Sequence, residues 1–278
     1  MIVNERDIPL NTLVVATANL LTPVDVRQAV APQIDRLQSI VYDLNEMQRP
    51  SDASFGWRAL DILFVSELEM PNLGYLCSEL GMVAVVSCEQ DDVPEANALL
   101  VSPALAERVE TPKVVTIGSV NHSRKALYAN IGGIGVIGEH DAWEPFAERS
   151  RYKATQDSLM LLADYDTEII LGDFNSPLGF PSRRLFPKSG FYSVAAYSEG
   201  PTTFPNPDYM DISVPWYAQP FYKMFKMNLD DIYSTMQITS ALSTYSATDH
   251  PLLRARLVLP SGFNYCKSYL GESDASVL

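Results

Sequence analysis

The chain has 278 residues, of which 47% are hydrophobic and 19% are charged, and its formal net charge is −14. This composition can bury a large core and excludes an intrinsically disordered chain. The acidic charge argues against non-specific nucleic-acid binding, which needs Lys and Arg, but a nuclease with a local basic patch is compatible with it.

The cellular compartment is indicated by cysteine usage and by the N-terminus. Cys77, Cys88 and Cys266 form no CxxC pair, so neither a zinc site nor a redox motif is predicted, and the odd count favours a reducing compartment. Charged residues at 5–7 stand where a signal peptide would need an apolar run, and no stretch approaches the ~18 apolar residues of a membrane span. We therefore expect a cytoplasmic protein without stable membrane insertion.

The first half of the chain opens with a buried strand over 13–20 and an amphipathic helix over 24–47, in which Pro32 indicates a kink or a break. A second buried strand spans 60–68. Shorter strand-like segments follow at 82–87, 98–102, 114–117, 126–131 and 134–138.

The second half begins with a predicted helix over 148–165 and a short apolar strand over 168–171. The last strands are predicted at 229–235 and 252–259, and residues 264–278 form a polar tail. A strand–helix–strand opening followed by many short strands predicts two packed sheets with helices outside. We expect one domain over 1–278, with its core at about 13–259.

The most specific local motif is Gly172-Asp173-Phe174-Asn175, directly after the strand over 168–171. Residues at i and i+2 of an extended segment point to the same side, so Asp173 could activate a water while Asn175 donates to a phosphate oxygen. Gly172 would permit close backbone approach or unusual backbone dihedrals. Taken alone, the motif is also compatible with an ordinary Asp/Asn turn after a strand.

Polar residues stand at the ends of other predicted strands as well. Each has a plain structural alternative, such as a solvated strand end or a surface histidine, and their order along the chain is what gives them weight. Converging strand ends are how α/β sandwiches build sites. These residues are Asn19, Glu67, His140, Asp230 with its neighbour Asp231, and the Asp249-His250 pair.

In combination these motifs resemble the endonuclease/exonuclease/phosphatase superfamily, over about residues 13–259. The resemblance is carried by ATANL, LDILFVSEL, the strand ending in GEH, LGDFNSP, TTFP, LDDIYS and ATDHP. It implies an α/β fold, a four-layer α-β-β-α sandwich of two mostly antiparallel sheets packed face to face with helices outside.

The resemblance implies a divalent metal site. Glu67 is similar to the direct Mg²⁺ ligand of the family, with Asn19 and Asp249 at the same metal. Carboxylate, amide and water oxygens suit Mg²⁺, or Mn²⁺ in its place. One departure is Ser66, which stands where the family usually has a glutamine before the motif glutamate.

The resemblance also implies the catalytic residues. Asp173 would orient or activate the attacking water, and Asn175 would donate to the scissile phosphate. His250 would stabilise charge on the phosphate, with Asp230 orienting it, although the neighbouring acid at 231 could take that place. His140 matches the second histidine of the deoxyribonuclease and sphingomyelinase branches.

The substrate is less well determined. The second histidine, a basic group at 183–188 and the aromatic segment 207–227 favour a nuclease that hydrolyses phosphodiester bonds of DNA or RNA. The alternative is a phosphatase or phosphodiesterase on a small-molecule or lipid phosphate, favoured by the acidic charge and the apolar segment. A non-catalytic binding module is disfavoured, because all the candidate catalytic groups are present. The basic group could equally be ordinary surface charge, and the aromatic segment a satellite hydrophobic cluster.

Overall fold

The computed structural model describes residues 12–20, 32–46, 60–91, 95–120, 122–144, 146–198 and 228–261. The strands are β1 (Thr12–Asn19), β2 (Ile62–Leu68), β3 (Val83–Glu89), β4 (Ala96–Val101), β5 (Val109–Ile117), β6 (Arg124–Ile131), β7 (Ile134–His140), β8 (Glu168–Asp173), β9 (Tyr192–Ser193), β10 (Asp230–Ser234), β11 (Ile238–Tyr245) and β12 (Pro251–Val258). The helices are α1 (Gln33–Glu46), α2 (Leu73–Leu80), α3 (Pro103–Ala106), α4 (Glu148–Leu162) and α5 (Leu185–Lys188).

Within the described residues these strands form two six-stranded sheets, in the orders β11-β12-β1-β2-β4-β3 and β5-β6-β7-β8-β10-β9. Each sheet has one parallel pair, β1 with β2 and β7 with β8, and its other pairs are antiparallel. A parallel pair needs a crossover connection, which is usually helical. In chain order α1 lies between β1 and β2, and α4 lies between β7 and β8.

The strand registers bring polar strand ends to one rim of the sandwich. Asn19 of β1 lies opposite Ser66 of β2, and His140 of β7 lies opposite Asp173 of β8. β10 begins at the same rim, because Asp230 pairs with Asp173. A 3.1 Å hydrogen bond from Asn19 to Asp173 joins the two sheets there.

The layer between the sheets is filled by alternate residues of strands from both. In β1, Leu13 and Val15 belong to this central cluster, whereas Val14 and Ala16 belong to the cluster under the outer helices. This division follows the two-residue period of a strand. Both faces of β1 are buried, which explains why its sequence is a continuous apolar run rather than an alternating one.

One contact between the sheets depends on a glycine. Phe64 of β2 is fully buried, and its ring lies against Gly138 of β7; a Cβ atom at this glycine would come within 2.1 Å of the ring. The missing side chain therefore leaves room for the phenyl ring. Burying a phenylalanine of this kind contributes roughly 1.5–3 kcal/mol.

Helices cover the outer faces of both sheets. Leu37, Ile40 and Leu44 of α1 recur at helical spacing and pack on the first sheet, and α2 adds to the same cluster. On the second sheet, Leu162 of α4 and Phe186 of α5 belong to a third cluster. The predicted α-β-β-α arrangement of four layers is therefore confirmed, with two mixed sheets.

The predicted elements need some corrections. The helix predicted over 24–47 is observed as α1, which begins directly after Pro32. This start is expected, because proline disrupts the interior of a helix but is tolerated at its beginning. Residues 21–31 lie outside the described residues. β5 is longer than predicted. α2 and β11 were not predicted from the sequence, because α2 is short and β11 contains several polar residues, some of them partly exposed. Among the described residues, no helix has the length and apolarity needed to cross a membrane.

Candidate active site

The predicted site residues meet at the rim. Glu67 and Asn19 come from the first sheet, Asp173 and His140 from the second, and the loop before β12 brings His250. One ligand atom from each of Glu67, Asp173 and His250 lies within 4.8 Å of the others. Segments far apart in the sequence thus converge on one cluster of carboxylates and imidazoles.

Asn19 joins the two central carboxylates. Its Nδ2 donates to Oε1 of Glu67 at 2.7 Å and to Oδ2 of Asp173 at 3.1 Å. Its backbone carbonyl accepts a 2.7 Å hydrogen bond from the hydroxyl of Thr248, which fixes the loop carrying Asp249. In this arrangement the amide nitrogen faces the carboxylates, so the amide would have to rotate for its oxygen to face a cation.

Glu67 adopts an unusual backbone conformation, with φ of 52°. The pairing of β2 with β4 is interrupted between Val65 and Leu68, so Glu67 lies in a β-bulge. Bulges commonly redirect a side chain next to an active site. Burial raises the pKa of Glu67 well above its usual range, and the carboxylates of Glu95 and Asp249 raise it further.

His250 forms a buried pair with Asp230. Its Nδ1 donates to Oδ2 of Asp230 at 2.5 Å, and it also lies 3.6 Å from Oδ2 of Asp173. Burial opposes a charge on the ring, but Asp230, Asp173 and Asp249 outweigh burial and raise the pKa of His250 well above its usual range. The imidazole is thus stabilised as a cation, and its Nε2 lies 4.0 Å from Oδ1 of Asp249.

Asp231 faces away from this pair, because successive side chains of a strand alternate. It accepts hydrogen bonds from Arg183, at 2.8 Å, and from the Ser193 hydroxyl and the Ala195 N–H. Arg183 is buried and also donates to Tyr233. Both alternatives considered for Arg183, a position flanking a phosphate chain and ordinary surface charge, are therefore wrong; Arg183 is an internal ion-pair partner.

His140 lies between carboxylates. Its Nε2 is 3.9 Å from Glu67 and 3.8 Å from Asp173, and its Nδ1 is 3.9 Å from Oε2 of Glu95. Glu95 was missed by the sequence analysis. It follows a polar stretch of the sequence and precedes β4, and nothing local distinguishes it from a solvated acid, although it is buried.

Asn175 does not share an extended segment with Asp173, as the sequence analysis expected. β8 ends at Asp173, and Asn175 has φ of 45°. Its backbone N–H donates to Oδ1 of Asp173 at 2.8 Å, and its Nδ2 donates to the carbonyl oxygen of Asp141 at 3.0 Å. The Asp/Asn turn and the site therefore occur together, and the turn fixes the aspartate.

Gly172 is required by close backbone approach, as predicted from the motif. A Cβ atom at this position would lie 1.8 Å from the carbonyl oxygen of Glu139 in the parallel neighbour β7. Any side chain would push the two strands apart next to His140 and Asp173.

The donor set fits a hard divalent cation. The carboxylates of Glu67 and Asp173 lie close enough to share one ion, and His250, in the same cluster, could join them only as a neutral imidazole. Among the described residues, Oδ1 of Asp249 is buried without a hydrogen-bond partner. A cation would offset the burial of the Glu67 carboxylate and its repulsion by Glu95 and Asp249, which raise the pKa of Glu67. The three residues whose ligand atoms lie within 4.8 Å of one another are Glu67, Asp173 and His250. The ligands predicted from the sequence were Glu67, Asn19 and Asp249, so only Glu67 belongs to both sets. The aromatic segment 207–227 lies outside the described residues.

Comparison with known proteins identifies the fold. No protein-family model matches the sequence, and no curated protein matches it. Among solved structures, an endonuclease/exonuclease/phosphatase family protein from Bacteroides thetaiotaomicron has a TM-score of 0.62 at 14% identity, covering 90% of this chain and 98% of that one.

Two further structures are similar. TDP2 from C. elegans has a TM-score of 0.61 at 14% identity, covering 89% of this chain and 75% of that one. A mannosyl-6-phosphatase from Bacteroides thetaiotaomicron has a TM-score of 0.60 at 14% identity, covering 89% of this chain and 100% of that one. The superfamily resemblance expected from the motifs is confirmed at the level of the fold.

Proposed function

We propose that this chain, which has the endonuclease/exonuclease/phosphatase fold, is a metal-dependent hydrolase of phosphate esters, and that it forms one catalytic domain. The observation that supports this most strongly is the convergence of Glu67, Asp173 and His250 within 4.8 Å. β2, β8 and the loop before β12 bring them together, and burying such a set of charges is costly unless they bind something. If the role of these residues were only structural, well-packed apolar residues would stabilise the fold at least as well.

Glu67, Asn19 and Asp249 would hold Mg²⁺ or Mn²⁺. When bound, the ion would polarise a phosphoryl oxygen and offset charge that develops during in-line displacement. The bulge of β2 aims the Glu67 carboxylate toward the rim, and the Thr248 hydroxyl holds the Asp249 loop against the end of β1.

Asp173 would orient the attacking water and accept its proton. Both carboxylate oxygens are already held, Oδ1 by the N–H of Asn175 and Oδ2 by the amide of Asn19. A carboxylate fixed in this way loses little freedom when it binds water. One N–H of the Asn175 amide is donated to the Asp141 carbonyl, so the other is left for a phosphate oxygen.

His250 would stabilise negative charge on the phosphate. Asp230 holds Nδ1–H, so Nε2–H, which lies 4.0 Å from Oδ1 of Asp249, would be the atom that donates to the substrate. The carboxylate therefore fixes both the orientation and the charge of the ring. His140, between Glu67 and Asp173, would contact the same phosphate from the other side.

For the substrate, we propose phosphodiester bonds of DNA or RNA first, because a second histidine accompanies His250 in the cluster. The case is weaker than the sequence suggested, since Arg183 is buried and cannot contact a phosphate chain. The alternative is a small-molecule or lipid phosphate. A net charge of −14 and the likeness to a protein named as a mannosyl-6-phosphatase favour it.

A substrate panel separates these alternatives. Plasmid DNA, single-stranded DNA, RNA, a generic bis-phosphodiester, a sugar phosphate and phosphoinositides are incubated with the protein and Mg²⁺, with and without a chelator. Turnover of nucleic acids supports the nuclease, and turnover of the small or lipid substrates alone contradicts it. A protein that binds the metal but hydrolyses nothing would be a binding module.

Variants test the assigned residues. Asp173→Asn and His250→Ala should each lower kcat by about 10²-fold or more, while the melting temperature stays near that of the wild type. Asp164→Asn and His122→Ala, which alter an exposed acid and a partly exposed histidine, are matched controls. Near-normal rates in Asp173→Asn or His250→Ala would contradict the assignment.

A further inference from the structure

The inward face of α1 presents two buried polar residues that belong to none of the predicted motifs. Gln33 is fully buried and Arg36 is 5% exposed, and residues three apart on a helix lie on the same face. Both side chains bond to segments that carry site residues. This is unexpected for a helix whose remaining inward residues are apolar.

The side chain of Gln33 forms hydrogen bonds to the backbone at Glu67 and just after it. Its Nε2 donates to the carbonyl oxygen of Glu67 at 2.7 Å, and its Oε1 accepts from the N–H of Glu69 at 2.8 Å and from Nδ2 of Asn72 at 3.1 Å. These bonds fall where the ladder between β2 and β4 is interrupted and where Glu67 has φ of 52°. One carboxamide thus satisfies the backbone on both sides of the bulge.

Arg36 joins two other segments of the site. Its guanidinium donates to the carbonyl oxygen of Leu20, next to Asn19, at 3.0 Å and to the carbonyl oxygen of Ala247 at 2.9 Å. Ala247 precedes the Thr248 hydroxyl that bonds to Asn19. The end of β1 and the loop before β12 are therefore tied together twice.

We infer that Gln33 and Arg36 are positioning residues that set the spacing of Asn19, Glu67 and Asp249 and thereby the affinity of the site for a divalent cation. The inference rests on the proposed function. Metal ligands must be held to within about 0.5 Å by their supporting residues, and loss of such a supporting contact typically weakens metal binding about 10- to 100-fold.

The test is Mn²⁺ binding to the full-length protein, measured by electron paramagnetic resonance so that no turnover is needed. Gln33→Met has a similar volume but removes all three hydrogen bonds. Gln38→Met, on the exposed face of α1, is the matched control. We expect Gln33→Met to raise the Kd for Mn²⁺ about 10- to 100-fold and Gln38→Met to leave it unchanged.

A purely structural role predicts a different pattern, namely a lower melting temperature with an unchanged Kd in the folded fraction. That result for Gln33→Met would overturn the inference while leaving the proposed function intact. If Gln33→Met does not fold, the Kd for Mn²⁺ is measured for Arg36→Met instead, which removes the bonds to Leu20 and Ala247. A raised Kd would support the inference, and an unchanged Kd would overturn it. Absence of Mn²⁺ binding in the wild type would overturn the proposed function and this inference with it.

Discussion

Asp230 and Asp231 are adjacent in sequence, yet their removal should affect different properties of the protein. Asp230 is bonded to Nδ1 of His250 at the rim, and Asp231 is bonded to Arg183 on the other face of the sheet. Asp230→Asn and Asp231→Asn are the same chemical change at neighbouring positions. Each variant is therefore the control for the other.

The Asp231→Asn variant should lose stability. The carboxylate accepts bonds from Arg183 and the Ser193 hydroxyl on Oδ2, and from the N–H groups of Ala195 and Ile232 on Oδ1. An amide has one acceptor oxygen, so its NH₂ would face two donors, and the buried guanidinium would lose its counter-charge. Breaking a buried ion pair costs roughly 3–5 kcal/mol, or roughly 6–20 °C in Tm for a domain of this size.

The Asp230→Asn variant should lose activity instead. Without the carboxylate, the charge on His250 is no longer supported from Nδ1, and the amide can hold the ring in the wrong tautomer. Losses of roughly 10²- to 10⁴-fold in kcat, about 3–5 kcal/mol, follow from comparable histidine–carboxylate pairs. Stability should change little, because removing this charge also removes the cost of burying the carboxylate and its repulsion by Asp173 and Asp249.

Both quantities are measured on the same preparations. Tm is followed by circular dichroism, and kcat is measured with the substrate that the wild type hydrolyses best, at a temperature where each variant is folded. Equal losses of activity in the two folded variants would refute this division of roles. So would an Asp230→Asn variant that is destabilised but has a normal rate per folded molecule.

Further variants and conditions test other parts of the structure. Gly172→Ala should prevent folding or lower stability by about 3 kcal/mol or more, because its Cβ would lie 1.8 Å from the Glu139 carbonyl oxygen. Gly179→Ala is the control in the same thermal melt, and it should be tolerated because no described atom lies within 4 Å of its Cβ. Burial and the nearby Asp166 raise the pKa of Glu168 to about 7, so its contribution to stability is fully present below about pH 4.5 and is lost as the pH rises through 7. Glu168→Gln should therefore raise Tm by about 2 °C at pH 8 and leave it unchanged at pH 4, and an equal shift at both values would contradict this cause. Chelation should abolish turnover, and Mg²⁺ or Mn²⁺ at 100 times its Kd should restore it and stabilise the fold by about 2.7 kcal/mol; turnover that persists in excess chelator would refute metal dependence.

Much of the site could be predicted because its residues stand beside strong local signals. Glu67 and Asp173 follow apolar runs that are recognisable as buried strands, and both strands end at the rim. The turn at Asn175 was harder to predict, because a β-strand continuing through it is equally compatible with the sequence. Only the tertiary structure shows that the strand ends at Asp173 and that the backbone turns back onto its carboxylate.

Other residues gave no sequence signal. Glu95 follows a polar stretch of the sequence, and Gln33 lies in a helix whose apolar spacing is otherwise regular. Arg183 stands in a basic stretch that reads as surface charge, although it is buried against Asp231. Each of these side chains finds its partner in a segment distant in the sequence, so local pattern does not determine its role.

The sequence by itself determined the layers, since the hydrophobic period of each segment sets which face is buried and the strand ends carry the polar groups. Only the tertiary structure decided which acid of the 230–231 pair reaches His250 and which neutralises Arg183. Because side chains alternate along a strand, the two carboxylates must lie on opposite faces of β10. This alternation does not determine which of the two faces points to the site at the rim. That depends on the register of β10 against β8, which is set by packing across the whole sandwich.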